Sequence, residues 1–247
     1  MTLSLAFEFI NERNINMWAL KIKVLPSGFV WIYSGEEENG FNPFKLTHLL
    51  ANGNTAGFLK TNLQKSKYLN IRSDVNFTST LEGLYFFEAF NDTLFVITDD
   101  GVQHSRIFNF DQHTVPQALF EMDYGNVFEF FTEFNKTDYV NGIHNFMQVK
   151  NSWLFSFFQG GSRWLAHGHS DSLISLSNKL TDTNNFESVT LPIEELRFFQ
   201  NGNQITYFMD ATWLIENKNR VINLELTNII STIHENSNPI LVNCLLK

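Results

Sequence analysis

The sequence predicts an all-β fold assembled from repeated four-stranded antiparallel meanders. Two observations carry this. Apolar runs of strand length recur in four successive sets, divided by turn signals. Of the 247 residues, 15% are aromatic, 26 of them Phe, and only 17% are charged. Aromatic and β-branched side chains suit a half-buried pleated surface. All-β sandwiches and barrels of this length often form one domain. Residues 1–247 therefore read as a single domain, with no Ser- or Gly-rich linker.

The first set opens at 17–26. There Trp18, Leu20, Ile22 and Val24 alternate with Ala19, Lys21 and Lys23, so the first group predicts the buried face. Ser27-Gly28 turns the chain into a return strand at 29–33. The solvated loop at 36–40 leads to a strand at 44–50. Asn52-Gly53-Asn54 is a hairpin signal, because Asn and Gly accept positive φ, and 55–59 pairs back. Four such strands outline one blade of a β-propeller.

The pattern recurs. A second set runs through 75–80, 84–90, 93–98 and 102–110, with Asp99-Asp100-Gly101 as a type I′ signal. A third runs through 142–149, 153–158, 163–167 and 172–177. A fourth begins at 196–199, turns at Asn201-Gly202-Asn203 and continues over 205–215. Successive sets start about fifty to seventy residues apart, at the long end of propeller periods.

Two segments read as helical. Residues 116–121 form a short turn. Residues 218–234 form a longer helix with Ile222, Leu226, Ile229, Ile230 and Ile233 on one face, stopped before Pro239. The competing reading makes 221–226 a strand. Residues 240–246 form the final strand. Residues 5–10 form the last strand of a missing blade, or pair with 240–246 and close the ring.

The run GLYFFEAFNDTLFVI at 83–97 resembles the most recognisable stretch of the six-bladed β-propeller proteins of Bacteroides-type bacteria. In that family an FDFG run follows; here Phe108-Asn109-Phe110-Asp111 stands there, without the glycine. Pro116 matches the family's next Pro. Asn238-Pro239-Ile240-Leu241-Val242 resembles its terminal strand, and the chain ends, like the family, in Leu-Lys. The resemblance runs from about Asn14 onward and implies the C-terminal two-thirds of such a protein. About four blade-sized sets stand where the family has six. Either the propeller is partial or it closes with fewer blades. The family is exported, often as lipoproteins, so the resemblance implies the periplasm or cell envelope.

Composition narrows the function. Formal net charge is -9, with 17 Lys and Arg against 26 Asp and Glu. No basic stripe is present, which disfavours nucleic acid. The one cysteine, Cys244, excludes an intrachain disulfide and a Cys-based zinc site within the chain; it reads as a small buried hydrophobe. The first residues lack the basic region and apolar run of a signal peptide. No apolar stretch approaches the ~20 residues that span a membrane.

No catalytic residue is assigned. There is no G-x-S-x-G, H-E-x-x-H or P-loop. Glu194-Glu195 point to opposite faces of a strand and cannot act as a pair there. His167 and His169, followed by Asp171, could turn both imidazoles to one ion, but a metal site usually needs three or four ligands, so they read as a polar loop at a strand end. No metal or cofactor is expected. Asp92 and Thr93 read as a structural turn, and Trp18 and Trp31 as core. Trp164 is the candidate sugar platform, with Arg163, His167 and His169 beside it. The sequence thus predicts a non-catalytic β-propeller binding or scaffold module of the cell envelope, taking a glycan or protein ligand. The alternative is a propeller hydrolase or lyase acting on a sugar-derived substrate.

Overall fold

The computed structural model describes residues 19–25, 27–35, 43–50, 52–61, 76–80, 83–187, 189–191, 198–201 and 204–245. The chain divides into two units, Met1–Leu63 and Gln64–Lys247. Trp18, Glu194, Glu195, the 5–10 segment and the Gly202-Asn203 turn lie outside the described residues.

In the first unit, β1 (Lys21–Val24), β2 (Val30–Tyr33), β3 (Phe44–Leu49) and β4 (Thr55–Lys60) pair antiparallel in sequence order. Trp31 is fully buried, as expected, and its ring lies parallel to His48 with centroids 4.7 Å apart. Gly28 turns the chain at φ +86, and the Asn52 side chain accepts from the Asn54 N–H at 2.9 Å. The predicted burial of β1 is reversed. Ile22 and Val24 are each 58% exposed, whereas Lys21 and Lys23 are half-buried. β1 is the edge strand. Its lysines stand opposite the buried Tyr33 and Trp31, whereas Ile22 stands opposite Ile32 and is exposed although Ile32 is buried.

In the second unit, β5 (Phe77–Ser79), β6 (Leu84–Phe86), β7 (Thr93–Thr98) and β8 (Gly101–Ile107) form a second meander. A third contains β9 (His144–Val149), β10 (Ser152–Gln159), β11 (Ser162–His169) and β12 (Ser172–Ser177). β13 (Leu180–Thr181) and β14 (Thr190–Leu191) make a small ribbon that the sequence reading lacks. The fourth set is three-stranded: β15 (Phe198–Asn201), β16 (Gln204–Met209) and β17 (Ile240–Leu245), the last paired along β16. Among the described residues the fold is therefore small antiparallel sheets with short helices, an all-β architecture.

β10 holds these sheets together. Its Trp153, Phe155 and Phe157 enter one cluster with Tyr85, Phe87 and Leu94 of the second meander. On the opposite face Leu165 and Met147 join Phe198, Ile205, Tyr207 and Leu214. The centre of the third sheet is buried on both faces, which is why β10 reads as an almost unbroken apolar run.

The helices correct the sequence reading in three places. α1 (Gln117–Glu121) follows Pro116 as predicted, but α2 (Val127–Phe134) has no counterpart in it. Asn126 caps α2 by accepting from Phe128 N–H and Glu129 N–H, while Glu129 accepts back from Gly125 N–H at 2.9 Å. Phe130 and Phe134 then join Phe90, Phe120 and Tyr124 in a separate aromatic core. The predicted strand over 205–215 stops at Met209, because Asp210 accepts from Trp213 N–H and starts α3 (Ala211–Glu216). The predicted helix over 218–234 shrinks to α4 (Leu224–Ile230), preceded by a 3-10 turn at Lys218–Arg220. Val221 bridges to Phe186 and Asn223 caps the helix by accepting from Leu226 N–H. Both contacts need non-helical backbone, so the apolar stripe cannot run through them.

Turn chemistry also differs in detail. Asn91, not Asp92, bonds the backbone two residues on, accepting from Thr93 N–H at 3.0 Å. Asp99 and Asp100 both keep negative φ, so their hairpin is not type I′; Gly101 takes the positive φ.

Gly142 has φ +94 and pairs with Ala89, and a Cβ there would stand 2.6 Å from Phe90 N. Gly142→Ala is therefore expected to cost at least ~2 kcal/mol in urea denaturation. A change within experimental error would contradict this packing. Asn126→Ala should cost ~1 kcal/mol by the same measurement.

Candidate functional site

The four residues singled out in the sequence all lie on β11, but they do not form one site. Alternation puts Arg163, His167 and His169 on one face and Trp164 on the other. Arg163 is buried, donates from Nη2 to Ser156 Oγ at 3.2 Å and lies over Phe198, 5.7 Å from its centroid. Trp164 is half-buried against the cluster shared with the second meander. His169 is exposed, with Nδ1 3.2 Å from Ser152 Oγ. Among the described residues no group of three or more His, Cys, Asp or Glu is placed to hold a metal ion.

A different cleft, of about 670 Å³, opens on the Trp164 side of the third sheet. Its floor is Trp153, Phe155, Phe157 and Ala166, nearly closed from solvent. Phe108 and Phe110 cover part of that floor, with Phe108 4.5 Å from Phe155 and Phe110 5.8 Å from Phe157 between centroids. The cover ends before β12. Leu173 and Leu176 face the cleft there and stay 59% and 49% exposed, as does Ile107 at the end of β8.

Arg106 is the cation of this cleft. Opposite strand residues share a face, and a bulge at Ser105 sets Arg106 against Leu94, which faces the third sheet. The guanidinium lies 5.4 Å from the Trp153 ring centroid and 5.9 Å from that of Phe108. Its Nη2 meets Asp171 Oδ1 at 3.4 Å, but the Asp171 side chain is 98% exposed, so water screens that pair. Nη1 is buried, and among the described residues no acceptor reaches it.

The far wall is polar. His113 Nδ1 and Gln159 Nε2 both donate to Asp138 O, at 2.9 and 3.0 Å. Asp111 has φ +49, with its N–H on Asn109 Oδ1 at 2.9 Å. That is the position where the resembled family carries glycine, so the departure places an acidic side chain in a left-handed turn beside the cleft. Sequence reasoning missed Arg106, although the adjacent polar residues Gln103, His104, Ser105 and Arg106 break the alternation of β8, the signal of a bulge.

No family model matches the chain, and no curated protein matches it. By structure it is similar to a Bacteroides fragilis protein described by name as a presumed exported protein. The TM-score is 0.68 at 11% sequence identity, over 98% of this chain and 69% of that one. At that identity the likeness is one of fold.

The floor depends on Gly168. A Cβ there would overlap the Trp153 ring and stand 2.5 Å from Ser172 O. Gly168→Ala should displace Trp153, break its Nε1 donation to Ser170 O and cost ~2–4 kcal/mol. Denaturation followed by Trp fluorescence checks this; unchanged stability and emission would mean that Gly168 does not shape the floor.

Proposed function

We propose that this chain is a β-propeller-type binding module of the bacterial cell envelope, and that its ligand is a glycan seated in the Arg106 cleft. The observation that carries the reading is the pairing, in one cleft, of a partly buried cation, Arg106, with exposed apolar side chains. Glycan sites need such a pairing, because a sugar ring presents apolar C–H faces and a belt of oxygen acceptors. Propeller architecture is supported by the second, third and fourth sheets, which follow one another along the chain and pack through shared clusters on opposite faces of the third. An envelope setting is supported by the name of the structural neighbour and by the resemblance at 83–97. No helix among the described residues is long and apolar enough to cross a membrane.

The test is a panel of bacterial and plant polysaccharide fragments titrated against the chain and against Leu176→Glu. Leu176 is exposed, so the substitution leaves the core intact and places a charge on the apolar wall. At least one fragment should bind, and Leu176→Glu should weaken it by ~10-fold or more. Leu241→Glu, on β17 away from the cleft, should leave affinity unchanged. Absence of any binding, or binding indifferent to Leu176→Glu, would overturn the reading. Product release from a bound fragment would move the chain to the hydrolase or lyase class.

A further inference from the structure

We infer that the polar wall of the cleft reads the hydrogens of the ligand's hydroxyl groups. His113 Nε2 and Gln159 Oε1 both accept there, so the glycan taken is one that presents uncapped hydroxyls on the edge it turns to this wall. The inference rests on the glycan reading and adds the kind of sugar edge that is recognised.

A single backbone oxygen sets both acceptors. Asp138 O offers only lone pairs, so each group that meets it must donate. His113 meets it with Nδ1 at 2.9 Å and Gln159 with Nε2 at 3.0 Å. The neutral imidazole carries one hydrogen, and here that hydrogen sits on Nδ1, which leaves Nε2 as a bare lone pair. The Gln159 amide is oriented in the same way: with its nitrogen on Asp138 O, its oxygen is the end left over. Among the described residues neither His113 Nε2 nor Gln159 Oε1 is hydrogen-bonded, and neither is closed from water. Both residues line the cleft.

The wall is also held in place. His113 ends a 3-10 turn at Asp111–His113, and its carbonyl accepts from Val140 N–H at 2.8 Å. Gln159 ends β10, paired with Ser162. Because the two side chains share one oxygen, their donor atoms lie no farther apart than those two bonds allow, and the acceptors form one patch. The exposed Asp111 carboxylate lies in the same lining and, when ionised, also only accepts.

A wall of acceptors selects donors. A sugar edge brings several hydroxyl hydrogens, while the C–H faces of the ring cover Leu173 and Leu176. A hydroxyl capped as an ether or ester keeps its oxygen and loses its hydrogen. It then turns an acceptor toward acceptors and leaves Nε2 and Oε1 desolvated without a partner, the costly case for a polar group. An ammonium group also donates, but it brings charge into a cleft that already holds Arg106.

The experiment titrates the full chain by calorimetry with the tetramers of glucose, mannose, galactose and glucosamine, and with every polysaccharide fragment that binds. Each binder is titrated again after complete O-methylation, which removes the donors and keeps the oxygens and ring faces. Methylation should weaken binding ~10-fold or more, the loss of about two neutral hydrogen bonds. His113→Phe and Gln159→Met should each weaken the free fragment ~3-fold or more, and the methylation penalty should shrink in both. If neither variant folds by circular dichroism, deoxyfluoro fragments, in which a smaller atom replaces the hydroxyl, should lose affinity for the unaltered chain likewise. A methylated or deoxyfluoro fragment that binds as tightly as the free one would overturn the inference. So would a methylation penalty undiminished in both variants, which marks steric crowding, or tighter binding of the glucosamine tetramer than of any neutral one, which marks an ammonium subsite. If a fragment is lost in Leu176→Glu but meets any of these overturning outcomes, the binding-module reading survives and this one falls. If nothing binds, both fall.

Discussion

A strand that is apolar on both faces is the constraint from which the second unit is built. β10 places Trp153, Phe155 and Phe157 on one side and Leu154 on the other, between strands that also bury both faces. Such a strand is stable only if a sheet covers each side, because each aromatic side chain left in water forgoes ~2–3 kcal/mol. The second meander supplies one cover and the β15–β17 sheet with α3 and α4 supplies the other. Chain order then follows from short connections, since neighbours in sequence become neighbours in space.

The helical insertion obeys the same rule at smaller scale. α1 and α2 are too short to stand alone. They hold because Phe90 leaves β-geometry, at φ +59, and projects into them edge-on to Phe120, Phe130 and Phe134. The backbone cost of that conformation, ~1–3 kcal/mol, is offset by burying a whole ring among four others. Gly142 sits against this point, where a side chain would strike the Phe90 and Asn91 backbone. The FNDT stretch that carries the family resemblance is thus a folding element: Phe90 anchors the insertion, and Asn91 closes the turn by bonding Thr93 N–H.

Strand identity was legible in the sequence because period-2 patterning and turn residues are local. β7 and β12 fall where the pattern puts them, at Thr93–Thr98 and Ser172–Ser177. Helices were less legible. VFEFFTEF in α2 has strand-like composition, and only the Asn126 to Glu129 capping pair marks it as helical. In the 218–234 stripe, the caps and a single long-range bridge to Phe186 overrode the periodicity. Burial failed at β1 for a related reason: alternation says which residues share a face, but not whether that face is covered at the sheet edge. The site was legible only in part. A histidine and tryptophan cluster on β11 draws attention because of its letters, yet a strand divides neighbours between two faces. The Arg106 cleft depends on a bulge and on the distance between two chain segments, and neither is written in local pattern.

The position of that cleft follows from the packing itself. The face of the third sheet runs from Trp153 through Ala166 to Leu176, but the segment that covers it, Phe108 to Phe110, is only a few residues long before the chain turns at Asp111. Cover therefore runs out over β12, and the apolar face meets water. An apolar strip at a sheet edge is ordinarily a hazard, and neutralising it with charge is the common solution. Here the strand itself, SLISLS, carries no charge at all. Asp171, one residue before the strand, is charged and exposed, and its partner Arg106 lies beside two aromatic rings with one of its donors closed from water. A sheet selected only for solubility would place that guanidinium in solvent, where it costs nothing. Holding it half-sequestered beside uncovered leucines costs stability twice, in desolvation and in exposed apolar area. The second cost disappears when a ligand covers the leucines. That gain is the physical reason for reading the cleft as a binding site and not as imperfect packing.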